Sequence, residues 1–221
     1  MKIRHLWLLT LPLAFGAPAA RGALVYSLAA EQSNYSVNVG ETVAVRIYLV
    51  EEATDGEASQ LMGTDAGLIS AGFRLAYGAS DPSQVLAPTD IQNNPAFDSA
   101  FTLETGADPG EAWLLEDVDF GSSPAQGVER SPGVVALWLG TFTFTAQAAG
   151  TTVVAIEDFD TDPSFVNFTL ASFEALDDVL QSGRFTINAT APGVIPEPST
   201  IIMAATASLV LLPILRRRPP R

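Results

Sequence analysis

The 221-residue chain has no cysteine and a single histidine, His5, and no lysine follows Lys2. Each absence closes a chemistry. Without cysteine there is no disulfide, no thiolate nucleophile and no thiolate metal site. Without an imidazole beyond residue 5, a Ser-His-Asp triad and the histidine-based zinc and iron sites are excluded. Without lysine, a Ser-Lys pair cannot form. Paired carboxylates remain, and the sequence offers Glu116, Asp117 and Asp119, or Glu157 and Asp158. With 25 Asp and Glu residues in the chain, such neighbours arise from composition alone, so no enzymatic activity is expected.

What is abundant is acid. All 25 carboxylates fall between Glu31 and Glu197, opposed there only by Arg46, Arg74, Arg130 and Arg184, a formal charge of −21 against −14 for the whole chain. Such a surface repels nucleic-acid phosphates and anionic lipid head groups, which excludes both as partners of this region. It attracts divalent cations and basic proteins.

The two ends have a different composition from the body. Lys2 and Arg4 precede the apolar run 6–15, and the small residues Ala17, Ala19, Ala20, Gly22 and Ala23 follow. This is the pattern of a secretory signal peptide, assigned to residues 1–23. Cleavage after Ala19 and after Gly22 both satisfy the small-residue rule. The body, residues 24–190, is long enough to bury a core without disulfides.

Period-two alternation dominates the body. In 42–49, Val43, Val45, Ile47 and Leu49 share one face, and in 68–77 Ala71, Phe73, Leu75 and Tyr77 do so. In 134–145, Phe142 and Phe144 alternate with Thr141, Thr143 and Thr145. Segment 151–156 follows after Ala-Gln-Ala-Ala-Gly, which predicts a hairpin with 134–145. Segment 184–189 is a closing strand with Phe185 and Ile187 inward. Weaker strands are expected at 24–29, 37–39, 83–86, 113–118 and 165–170, and one or two helical turns at 172–180. Many short strands separated by Gly/Pro turns, with no long 3.6-residue period, predict an all-β fold, a single antiparallel β-sandwich.

The segments VNVGETVAVRIYLVE, AGFRLAYGASDPSQVLAP and LWLGTFTFTAQAAGTTVVAIED resemble, in order, those of the cohesin-type sandwich, a family related to carbohydrate-binding modules. Phe73, Leu75 and Tyr77 stand in the family's middle strand, and its Asp-Pro appears at Asp81-Pro82, delayed by Gly78, Ala79 and Ser80. Over residues 37–157 the resemblance implies a cohesin-like jelly roll that binds protein or carbohydrate and does no catalysis. Cohesins bind dockerin modules through surface residues that vary, and none of these maps onto this chain.

Two further features are candidates for ligand contact. Asp158, Asp160 and Asp162 alternate in a short segment, a spacing that suits calcium, which takes six to eight oxygen ligands. It is not an EF-hand, because Pro163 and Thr169 stand where that loop needs Gly and Glu. A solvated acidic loop has the same composition. No other cofactor is indicated. Glu51, Glu52, Asp55 and Glu57 form a second acidic cluster, expected in a loop. Trp113, beside acidic sequence, is the candidate for stacking on a sugar, whereas Trp138 lies among apolar neighbours and is expected in the core or half-buried.

The C-terminal segment, 191–221, has three parts. Pro196, Glu197 and Pro198 precede the 15-residue apolar run 201–215, and Arg216, Arg217 and Arg218 follow it. At 1.5 Å per residue a helix over that run covers about 22 Å, short of a hydrocarbon core of about 30 Å but able to span under strain. The arginines would hold its end in the cytoplasm. The arrangement resembles the PEP-CTERM sorting signal. The resemblance implies recognition by an exosortase, a transient hold in the inner membrane through this helix, and release to the cell surface or extracellular space. There the expected partners are exopolysaccharide or matrix proteins.

Overall fold

The computed structural model describes residues 23–54, 56–77, 86–103, 110–160 and 165–191. The predicted signal peptide before Ala23, the Asp81-Pro82 turn and the whole C-terminal sorting segment lie outside the described residues. Among the described residues there are thirteen strands: β1 (Leu24–Ala30), β2 (Asn34–Asn38), β3 (Thr42–Ala53), β4 (Leu68–Ala76), β5 (Leu86–Asn93), β6 (Ser99–Leu103), β7 (Glu111–Asp117), β8 (Val128–Ser131), β9 (Val134–Ala146), β10 (Gly150–Asp158), β11 (Thr169–Leu170), β12 (Leu180–Gln181) and β13 (Gly183–Thr190). They form two sheets. One has the order β12-β1-β3-β9-β5, with β8 also on β9; the other has the order β2-β13-β10-β4-β7-β6, with β11 also on β4. No described segment is helical.

Alternation places the core as expected. Val45, Ile47 and Leu49 of β3, Phe142 and Phe144 of β9, Phe73 and Leu75 of β4, and Phe185 and Ile187 of β13 are all buried. The two sheets meet through their rings. Phe73 packs edge-on to Phe142 with centroids 5.6 Å apart, and Tyr77 to Phe144 at 5.4 Å. A fully buried side chain of this size contributes about 1.5–3 kcal/mol relative to leaving it exposed. These cross-sheet ring pairs are the centre of the hydrophobic contact.

Several expectations are corrected. The hairpin predicted between 134–145 and 151–156 does not form. β9 lies in the first sheet against β3 and β5, and β10 lies in the second against β13 and β4. The connection Gln147–Ala149 carries the chain from one sheet to the other, so both strands turn their apolar faces to one core from opposite sides. The sandwich is not wholly antiparallel: β12 runs parallel to β1, and β13 parallel to β2. Of the strand expected at 165–170 only β11 forms: Val166 and Asn167 lie by the outward face of β4 at Gly72, and Phe168 is buried in the core. Residues 172–180 make turns, closed by Leu180 N donating to Leu176 O at 2.9 Å, rather than a helix. Glu51 and Glu52 are not in a loop, since β3 runs on to Ala53; Asp55 is outside the described residues. Glu51 faces the core at 1 % exposure, where Oε2 accepts the Gln60 N–H at 2.9 Å and the Tyr26 hydroxyl lies beside it. Strands β5, β6, β8 and β12 have no clear alternation and escape the sequence reading.

Candidate functional site

The outer face of the second sheet is where the described residues leave apolar surface in a hollow. On β4, β7 and β6 the register sets Gly72 beside Leu115 and Leu115 beside Phe101, a row across three strands. Ala71, Phe73, Ala112, Leu114 and Glu116 point inward, so this row points outward by strand alternation. Phe101 lies on the edge strand and is 59 % exposed. Val166 and Asn167 form the opposite wall beside Gly72 of β4. Between the walls lies a cavity of about 390 Å³, with Asp117 at its rim. Ser99 Oγ donates to Asp117 there.

The wall is held firmly. Asn167 N donates to Asp177 Oδ1 at 2.7 Å and Phe168 N to Asp177 Oδ2 at 3.3 Å. Asn167 Nδ2 donates to Asp160 O at 3.0 Å. Gly72 lets the wall approach, since a Cβ there would lie 3.3 Å from Asn167 Cβ. Asp158 closes the arrangement. Burial, and then the neighbouring Asp177 carboxylate with which it shares a hydrogen bond, push its pKa up to about 6. Below that pH the shared proton ties the start of the loop to Asp177. Above it, the two carboxylates repel.

Asp158 at the end of β10 and Asp160 just beyond it border this wall, and Asp162 lies outside the described residues. Among the described residues no group of three or more acidic or imidazole side chains is gathered to hold a metal ion. Trp113 is on the same outer face, but it is half-buried. Its Nε1 donates to Glu111 Oε2 at 3.2 Å, and its ring meets Phe159 edge-on at 5.1 Å and 83°. Those two contacts fix the orientation of the ring. Trp138 is half-buried on β9, as expected. The carboxylate neighbours do not pair across the cavity: Glu116 points into the core and Asp117 out, and Glu157 is taken by Arg74 at 3.0 Å. Pro196, Glu197, Pro198 and Arg216 to Arg218 lie outside the described residues.

No protein-family model and no curated protein matches the chain. Solved structures similar to it include a cohesin, CaCohA2 of Clostridium acetobutylicum, at 16% identity with a TM-score of 0.48, covering 77% of this chain and 94% of that one. A type II cohesin domain from the cellulosome of Acetivibrio cellulolyticus is similar at 14% identity and a TM-score of 0.48, covering 74% and 95%. A mutant type II cohesin–X-dockerin complex from the same organism gives 13%, a TM-score of 0.42, and coverage of 77% and 97%.

Sequence reasoning missed Phe101, Leu115, Val166 and Asn167. Leu115 was within reach, because it occupies the outward phase of a predicted strand, where an apolar side chain is out of place. Phe101 was not, because its strand was not anticipated. Nothing in sequence order tells that residues 165–167 lie over Gly72.

Proposed function

We propose that this chain is an exported, non-catalytic binding module that holds a protein partner against the outer face of β4, β7 and β6. The observation that carries the reading is the walled cavity lined by Phe101, Leu115 and Val166. An outward row of apolar side chains that runs from β7 to the edge strand β6, beside an open hollow, costs solubility unless something covers it. Its composition favours protein over polysaccharide. The lining is a phenyl ring and aliphatic side chains, and Trp113, the ring that would stack on a sugar, is not among them. The resemblance of residues 37–157 to cohesins points the same way.

Export rests on the two ends of the sequence. The N-terminal segment directs the chain across the inner membrane, and the PEP-CTERM-like tail holds it there until an exosortase releases it to the surface or matrix. Intact-mass measurement of the protein recovered from its host is expected to lack residues 201–221. A mass that still includes them would end the processing claim.

For the face itself, replacing Phe101 and Leu115 together by Asp is expected to abolish retention of partner proteins from the host's extracellular fraction. Both side chains point outward, so the variant should keep the parent's melting temperature within a few degrees. Undiminished retention by a folded variant would rule out this face.

A further inference from the structure

Two other phenyl groups stand in solvent at one end of the sandwich. Phe120 is fully exposed and Phe173 is 80 % exposed. Neither sits on a loose tip. Phe120 is the second residue of a tight turn in which Ser122 N donates to Asp119 O at 3.0 Å, with Gly121 at a φ of 97°. That positive φ at the third position is one glycine adopts without penalty. Phe173 is in a turn closed from both sides, with Phe173 N donating to Leu170 O at 2.8 Å and Leu170 N to Glu174 O at 2.9 Å. Phe173 itself has a φ of 64°, the left-handed region that is unfavourable for a residue with a Cβ. The fold therefore holds a strained aromatic residue out in water, a combination that brings no packing in return. Strain kept without local compensation points to use.

The two turns are neighbours. Val118 N donates to Ile69 O and Ala171 N to Gly67 O, so the turns flank the start of β4 on its opposite sides. The strands that lead into them lie two strand spacings apart, about 10 Å. Each phenyl is followed or preceded by an exposed carboxylate, Glu174 after Phe173 and Asp119 before Phe120, with Asp98 and Asp117 close by through the Asp119 N–H and the Ser99 hydroxyl. None of the four arginines of the body is on these turns. Arg46 pairs with Glu31, Arg74 with Glu111 and Glu157, and Arg130 lies over the Tyr48 ring, while Arg184 is on β13 opposite Ala155.

From this arrangement we infer that the Phe120 and Phe173 turns form a second interaction surface, for a basic amphipathic protein segment. The two phenyls seat in its apolar side and the surrounding carboxylates pair with its Lys and Arg. Apolar positions seven residues apart on a helix are separated by about 10 Å at 1.5 Å per residue, the scale of the two strand spacings between the strands that lead into the turns. An anionic bilayer is excluded by charge of the same sign.

The test uses the mature chain and a fluorescent helical 15-residue peptide with leucines seven apart and lysines on its other face. Anisotropy is expected to show binding that weakens at least tenfold when Phe120→Ser and Phe173→Ser are combined. Phe101→Ser, on the separate face proposed above, should bind as the parent does. A glutamate version of the peptide should not bind. Phe173→Gly should weaken binding yet raise the melting temperature, because it relieves the backbone; a residue needed for the fold would lower it. The inference is overturned if the double variant binds the lysine peptide as tightly as the parent. It is equally overturned if Phe101→Ser removes binding while the double variant keeps it, or if phosphatidylcholine vesicles are bound by the parent and released by the double variant.

Discussion

Replacing Glu116 with leucine is expected to make the protein markedly more stable at pH 9 than the parent, with little difference at pH 5. Glu116 is an inward residue of β7 at 4 % exposure, and neither carboxyl oxygen has a hydrogen-bond partner of good geometry, the Asn94 backbone alone lying near. Burial pushes its pKa from 4.5 up to about 9, with the Asn94 backbone opposing only in part. The sign follows from the protons bound in each state. Below pH 4.5 the group is protonated in both folded and unfolded chains and costs nothing electrostatic. Between 4.5 and 9 the unfolded chain has released the proton while the native chain keeps it. Stability then falls as pH rises, by about 1.4 kcal/mol per unit, until the native group also ionises. Over that window the loss is of the order of a few kcal/mol, which is a large share of what holds a domain of this size. Leucine has similar volume and no proton to lose. Urea denaturation at pH 6.5, 7.5 and 9 is the right measurement, since Asp158 contributes its own slope only up to about pH 6. If parent and variant lose stability in parallel across that range, Glu116 is not the buried acid it is taken to be. The parent should be most stable under mildly acidic conditions, a direction that the repulsion among 25 carboxylates reinforces.

Gly183→Ala is expected to cost about 3 kcal/mol or more, and Gly183→Val to prevent folding. Gly183 opens β13, immediately after β12 has left the first sheet. A Cβ there would lie 2.0 Å from the Leu28 carbonyl oxygen and 2.8 Å from its carbon. Both are backbone atoms of β1, so no side-chain rotation makes room. Relief would require the crossing chain or β1 to move, and β1 is held by seven paired residues of β3 and by β12. Overpacking a core normally costs about 1–3 kcal/mol when side chains can yield. Here they cannot, which puts the expectation at or above the top of that range. Thermal unfolding of Gly183→Ala with an unchanged midpoint would show that the crossing is looser than the geometry says. A companion Gly121→Ala, with no atom within 4 Å of its Cβ, would cost only the strain of its positive φ.

The sequence by itself determined which side chains face the core, and much of what the protein does not do. Val45, Ile47 and Leu49, Phe142 and Phe144, and Phe185 and Ile187 were legible because a strand buries alternate residues and the period shows in the chain. With no thiol in the chain and no imidazole or lysine beyond residue 5, the reaction classes built on those groups are closed to residues 24–190. Only the tertiary structure decided which sheet each strand joins. Alternation gives a face but no partner, so β9 and β10 look like a hairpin although a three-residue link carries the chain across the core between them. The same limit hid Glu51 and Glu116, charged residues in apolar surroundings that composition alone assigns to the surface. It also hid the two binding surfaces proposed for the chain. Phe101, Phe120 and Phe173 are residues that a hydrophobicity pattern sends inward. They stand in solvent because an edge strand and two tight turns leave them nothing to pack against, and that is a property of chain neighbours distant in sequence.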